Sequence, residues 1–158
     1  MRTILESLPR ILAGHDAVVV GTRDAALRPA CAMASGVAFP GDGRVTVYVT
    51  EAAGAETLAN LEANGAIAVV FEEILSHHTV QLKGRVLEIR PAAEGERALV
   101  ERSIAGFFRQ VEAVGAAPDV VRKRRRWPCR AVTFEVTDVF EQTPGPKAGT
   151  PFAAEGAP

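Results

Sequence analysis

Cysteine is scarce in this chain: Cys31 and Cys129 are its two thiols in 158 residues. Two thiols so far apart form neither a metal-ligand spacing nor a disulfide framework. Their simplest reading is as small buried apolar side chains in a reduced, cytoplasmic setting. Aromatic residues are also few, with one Trp, one Tyr and seven Phe, which leaves little surface for stacking nucleic-acid bases. No apolar run approaches the ~20 residues that span a bilayer. The opening "MRTILESLPRILAGHD" lacks the uninterrupted apolar stretch and small-residue cleavage site of a signal peptide. Neither nucleic acid nor a membrane is therefore an expected partner. No Ser/His/Asp arrangement or carboxylate pair stands out, which argues against a hydrolase.

What is present is an ordinary globular mixture of 47% hydrophobic and 23% charged residues, enough for one domain with one core. The 18 basic and 19 acidic side chains nearly cancel, yet five of the cations, Arg122 to Arg126, are consecutive. The rest of the chain then holds 13 cations against 19 anions, or −6. Such a run at the end of a helix complements the negative end of the helix dipole.

Periodicity alternates between helix and strand. Thr3 and Glu6 have capping-box spacing ahead of an apolar stripe through Ile4, Leu5, Leu8, Ile11 and Leu12, with Pro9 interrupting the backbone bonds. Extended segments are expected at 16–22, 29–39, 44–50, 66–71, 79–89 and 131–140, with "PGDG" at 40–43 as a hairpin turn. A short helix at 55–65 should stop at Gly65. In 79–89 the apolar parity changes after Gly84: Val80, Leu82 and Val86 share one side, Leu87 and Ile89 the other, which predicts a bulge at that glycine. A long helix is expected over 92–114, its stripe running from Val100 through Ile104, Phe107, Phe108 and Val111 to Val114. A second is expected over 118–126, ending before Pro128. In the last strand Val132, Phe134, Val136 and Phe140 should face one way. Six short strands joined by connections too short for crossover helices indicate a mainly β protein, a small barrel with helices, rather than a doubly wound sheet. One domain is expected over 1–149, followed by a flexible tail at 150–158.

Three stretches give the chain a resemblance to a known family. They are "VTVYVTEAAGAETLANLEANGAIAVVF", "HHTVQLKGRV" and "VTDVFEQTPGP", which occur in the order and spacing seen in the FMN-binding split-barrel proteins, the group of pyridoxamine 5′-phosphate oxidase. The resemblance implies a six-stranded Greek-key split barrel and a homodimer with two FMN sites at the subunit interface. It also implies a phosphate site at the strand end and helix start over 50–57, where free N–H groups and the helix dipole favour an anion. The family usually has Ser and a Lys or Arg at this helix start; here Ala55, Glu56 and Thr57 stand there. A carboxylate about 4 Å from a phosphate oxygen costs roughly 4 kcal/mol, against roughly 0.3–2 kcal/mol from a helix N-terminus. Either Glu56 points away, a cation intervenes, or FMN is not the ligand. The tail lacks the substrate-binding element of true pyridoxamine phosphate oxidases, so that activity is not implied.

Within this resemblance Thr50 is the first candidate for a phosphate or ribityl contact, followed by Thr57. Arg125 and Arg126 could supply the missing cation. Trp127 reads as a core or interface anchor, or as a ring stacked on the flavin. Thr79 and Gln81 share the outward face of their strand, opposite Val80 and Leu82, and could bond a flavin ring or ribityl chain. Lys147, on a Pro-rich loop, could reach the cofactor of either subunit. His77 and His78 point to opposite faces, so they do not chelate one metal, though one could ligate haem. The leading expectation is an FMN-dependent oxidoreductase acting on a small molecule. The alternatives are a non-catalytic sensing dimer holding haem or deazaflavin, and a barrel whose flavin site has decayed.

Overall fold

Six stretches of alternating apolar residues become six antiparallel strands in the computed structural model, which describes residues 2–14, 16–115 and 126–152. They are β1 (Ala17–Arg23), β2 (Pro29–Gly41), β3 (Arg44–Thr50), β4 (Ala66–Glu72), β5 (Thr79–Pro91) and β6 (Cys129–Glu141). Ordered β1-β2-β3-β6-β5-β4, they close into a barrel, with β1 and β4 joined through pairs such as Val19 and Val70. The inward positions are valine-rich, and Val20, Val47, Val69, Leu82 and Phe134 are fully buried. β-branched side chains fit the interior of a small barrel because they pack well on a pleated surface. The expected split-barrel architecture is the one observed.

Two bulges turn the barrel's corner, one of them not where the sequence pattern puts it. Lys83 pairs with Asp138 and Gly84 with Val136, so the extra residue is Thr137, on the partner strand. The parity change therefore falls on β6: Val132, Phe134 and Val136 point inward, Val139 replaces Phe140 in the core, and Phe140 lies outside under the Lys83 ammonium at 4.6 Å. On β5 the parity holds through Val86. The extra residue there is Leu87, between the Val86–Phe134 and Glu88–Thr133 pairs, so Leu87 is exposed while Ile89 returns to the core.

Helices plug and flank the barrel. α1 (Arg2–Ile11) continues through Pro9 and buries Leu8 against the core. The anchored apolar stripe outweighs the one backbone bond lost at Pro9, and because the helix begins at Arg2, Thr3 lies inside it rather than at its cap. α2 (Glu51–Asn64) starts four residues before the expected 55, kinks at Gly54 and ends at Gly65, whose φ of +66° lets its N–H reach the Leu61 carbonyl. A 3₁₀ turn (Glu94–Glu96) leads into α3 (Arg97–Ala113). α3 crosses β2 at Gly36, where a Cβ would sit 3.3 Å from the Val100 Cα. Val114, expected at the end of the stripe, is exposed beyond the helix. Beneath α3, Tyr48, Val100, Ile104, Cys129 and Ala131 form a second apolar layer outside the barrel. Residues 150–152, expected to be loose, run along β6: Pro151 bridges Phe140 and the Phe152 N–H donates to the Val139 carbonyl at 2.9 Å. The expected helix at 118–126 lies outside the described residues except for Arg126. Among the described residues no helix is long and apolar enough to cross a membrane.

Candidate functional site

Val18 and Val20 of β1 and Ala32 of β2 are buried in the barrel core, which leaves the alternate positions, Val19 and Met33 among them, on the outer face to line something else. α3 stands over them without closing on them, and the space between is a cleft of about 610 Å³, within the range of small-molecule sites. Val19 and Met33 form its floor, Ile104, Phe107 and Phe108 its α3 wall, and Thr50, Ala52, Ala53 and Arg126 one side. These walls are largely apolar. The polar groups are few: Asp16, Ser35, Ser103, Thr50 and Arg126, together with the thiol of Cys31, which is exposed rather than buried as expected.

A cationic corner is built where β3 meets α2. Thr50 pairs with Cys129 on β6, the Glu51 N–H donates to the Pro128 carbonyl at 3.3 Å, and the Cys129 thiol donates to the Arg126 carbonyl at 2.8 Å. These three contacts set Arg126 beside the first turn of α2. Its guanidinium lies 4.1 Å from the Phe108 ring centroid, a cation–π contact that orients the charge at the cleft wall. Thr50 is extended and makes no capping bond with its side chain. Burial pushes the Cys129 thiol up to about 11; a Ser35 hydrogen bond opposes the rise and the Glu51 carboxylate adds to it. Cys129 is thus a neutral packing residue rather than a nucleophile.

A carboxylate is held at the cleft's other edge. Gln110 accepts the Ile74 N–H at 2.8 Å and donates to the Gly14 carbonyl at 2.7 Å and to Asp16 Oδ2 at 3.0 Å. Asp16 rests on α3 at Gly106, where any Cβ would come within 2.5 Å of Oδ2.

The sequence profile of pyridoxamine 5′-phosphate oxidase matches residues 4–139. The chain belongs to this family. Solved structures agree on the fold. HupZ of Group A Streptococcus is 17% identical with a TM-score of 0.54, over 87% of this chain and 94% of that one. An FMN-binding protein of Syntrophomonas wolfei is 15% identical with a TM-score of 0.51, over 85% and 81%. An F420 reductase is 13% identical with a TM-score of 0.50, over 78% and 87%. No curated protein matches the sequence.

Of the residues the family resemblance nominates, Thr50 and Arg126 line the cleft together. Glu56 does not: it is exposed on the outer side of α2, while Thr57 is buried on the barrel side with Leu58 and Leu61. The reason is the early start of α2, which presents Ala52 and Ala53 to the cleft in place of 55–57. Trp127 packs in the layer beneath α3, with the Arg97 guanidinium 5.6 Å from its ring. Thr79 donates to the His77 carbonyl at 2.9 Å, Gln81 accepts from Gln142 at 3.4 Å, and exposed Lys147 caps a turn by accepting from Thr150. These last three are not on the cleft. β5 stands three strands from β2 in either direction round the barrel. Arg125 lies outside the described residues. His77 contacts Glu72 at 3.0 Å on the surface, and among the described residues no group of three or more His, Cys, Asp or Glu could hold a metal ion.

Sequence reasoning missed Asp16, Ser35 and Ser103. A helix-interior glycine, Gly106, was the available signal for the close approach at Asp16.

Proposed function

We propose that the cleft is a flavin site and that the chain is an FMN-dependent oxidoreductase acting on a small molecule. The observation that carries this reading is Arg126 fixed beside the first turn of α2 at the edge of a largely apolar cleft. Arg126, the Thr50 hydroxyl and the N–H groups of Ala52 and Ala53 would hold the phosphate. Glu51, close enough to influence Cys129, already places a negative charge at this helix start, so a dianion there depends on the charge of Arg126. Glu56, being exposed and off the cleft, does not oppose it. Val19, Met33, Ile104 and Phe107 would exclude water from the ring, and Ser35 and Ser103 offer hydroxyls between the ends. When bound, FMN supplies the hydride chemistry; the protein supplies position and electrostatics.

We further propose a cytoplasmic homodimer. Thr79 and Gln81, on β5, stand across the barrel from β2 and Lys147 does not line the cleft, so a flavin contact from any of them would be made to the cleft of a second copy.

The test is titration of the purified protein with FMN, followed by flavin fluorescence. Saturable binding of one flavin per chain is expected. Arg126→Ala should weaken FMN binding at least tenfold and leave riboflavin, which lacks the phosphate, within about threefold, since a tenfold loss is about 1.4 kcal/mol. Absence of saturable binding by the unaltered protein overturns the flavin reading.

A further inference from the structure

The cleft has two polar edges of opposite charge, and the second is unused by the reading above. β2 forms the floor, with β1 along one side through Val19 and Met33 and β3 along the other through Val49 and Ala34. Asp16 comes just before β1, whereas Thr50 closes β3, so the carboxylate and the Arg126 corner lie on opposite sides of the floor strand.

The carboxylate is positioned, not merely present. The Gln110 amide has both ends committed: its oxygen takes the Ile74 N–H, which leaves its nitrogen facing Gly14 and Asp16. This settles the amide orientation and points a donor at Oδ2. Gly106 leaves the room that the carboxylate fills, since a Cβ there would fall 2.5 Å from Oδ2 and 2.8 Å from Oδ1. An ionised carboxylate has about four acceptor positions and no donor. Gln110 takes one of them, and the residue still lines the cleft. The group such a site selects is a hydrogen-bond donor, and the group it rejects is a second anion.

We propose that Asp16 is the specificity residue of the cleft: it accepts a hydrogen bond from the donor-bearing edge of the bound ring and sets a negative charge against its reduction. This rests on the flavin reading. In FMN the phosphate and the imide N–H are at opposite ends of the molecule, matching a cation at one side of the cleft and an acceptor at the other. A fixed negative charge beside a ring that gains electrons disfavours the reduced form, so Asp16 lowers the ring's midpoint potential.

The experiment compares the unaltered protein, Asp16→Ala and Asp16→Asn in titrations with FMN and riboflavin, together with the midpoint potential of bound FMN. Asp16→Ala should lose at least tenfold affinity for both ligands alike, unlike Arg126→Ala, which discriminates between them. Asp16→Asn keeps one acceptor oxygen, which Gln110 and the ring N–H would have to share, so it should lose less affinity than Asp16→Ala. Its midpoint should rise by about 30 mV, a tenfold shift toward the two-electron-reduced form. Unchanged affinity and potential in both variants overturn the proposal, as does equal loss in both variants with unchanged potential, which marks a packing role. Failure of the unaltered protein to bind FMN overturns the flavin reading itself, a separate result.

Discussion

Glu96 joins three parts of the molecule through one carboxylate. It accepts two hydrogen bonds from Arg90 at 2.7 Å each, one from the Tyr48 hydroxyl at 2.8 Å and one from the Ala93 N–H at 2.7 Å. The Arg90 bonds, with smaller help from Ala93 and Tyr48, hold its carboxyl down at about 2 despite some burial. Burial, then Glu96, pushes Tyr48 up to about 12, and Arg90 is raised by the same pairing. Since the folded value of Glu96 is depressed, its stabilisation is fully present above the unfolded value of 4.5 and is lost as pH falls through about 2. Denaturant titrations across that window should show stability falling as the acid limb is entered, by roughly 2–3 kcal/mol from this group. Glu96→Gln should cost about 2 kcal/mol near neutrality and flatten the limb. A limb of unchanged slope in the variant assigns the acid loss to other groups. Tyr48 acts at the other extreme: its raised value stabilises below 10 and that contribution is lost as pH rises through about 12. At this scale the sequence was uneven. Arg126 stood out because five cations in a row are rare, whereas nothing local distinguished Asp16, whose role comes from Gln110, ninety-four positions away.

Among the elements, β5 and β6 show what alternation can and cannot specify. The parity change visible in "TVQLKGRVLEI" was a true sign of irregular pairing, and Gly84 is indeed required. A Cβ there would overlap the Glu135 carbonyl oxygen and crowd the Phe134 ring. Yet the extra residue opposite it is Thr137, because a bulge belongs to a pair of strands and one strand's pattern does not say which of the two carries it. Gly84→Ala should therefore destabilise the barrel by roughly 2–4 kcal/mol, measured as a shift of the denaturant midpoint without a change in slope. A loss below ~1 kcal/mol would mean that the strands part easily at this corner. α2 carries a similar lesson. Gly65 and the apolar residues fixed its end, but its start moved back to Glu51 because Gly54 lets the first turn sit against Val49. That shift takes Glu56 off the cleft and brings Ala52 and Ala53 onto it.

For the whole molecule, the ring order decides which surfaces share a site. β2 and β5 oppose each other across the barrel, which separates Thr79 and Gln81 from Thr50 and Arg126 although the sequence nominates all four. A homodimer that brings one copy's β5 side to the other's cleft predicts a particle of twice the chain mass in light scattering at micromolar concentration. It also predicts that Gln81→Arg lowers FMN affinity or dissociates the dimer. A monomer that binds FMN with full affinity overturns that assembly.

The sequence by itself determined the mainly β class, the six strands and the Gly65 helix stop, because these follow from alternation and backbone sterics within one segment. The family, too, was visible in three stretches in order. Only the tertiary structure decided that Arg126 meets the start of α2, that Glu56 faces solvent, that Asp16 faces the cleft across β2 from Thr50, and that Thr79, Gln81 and Lys147 stand elsewhere. Those facts depend on ring order, bulge placement and helix register, which are set when distant segments pack against one another, and no single stretch of chain encodes them.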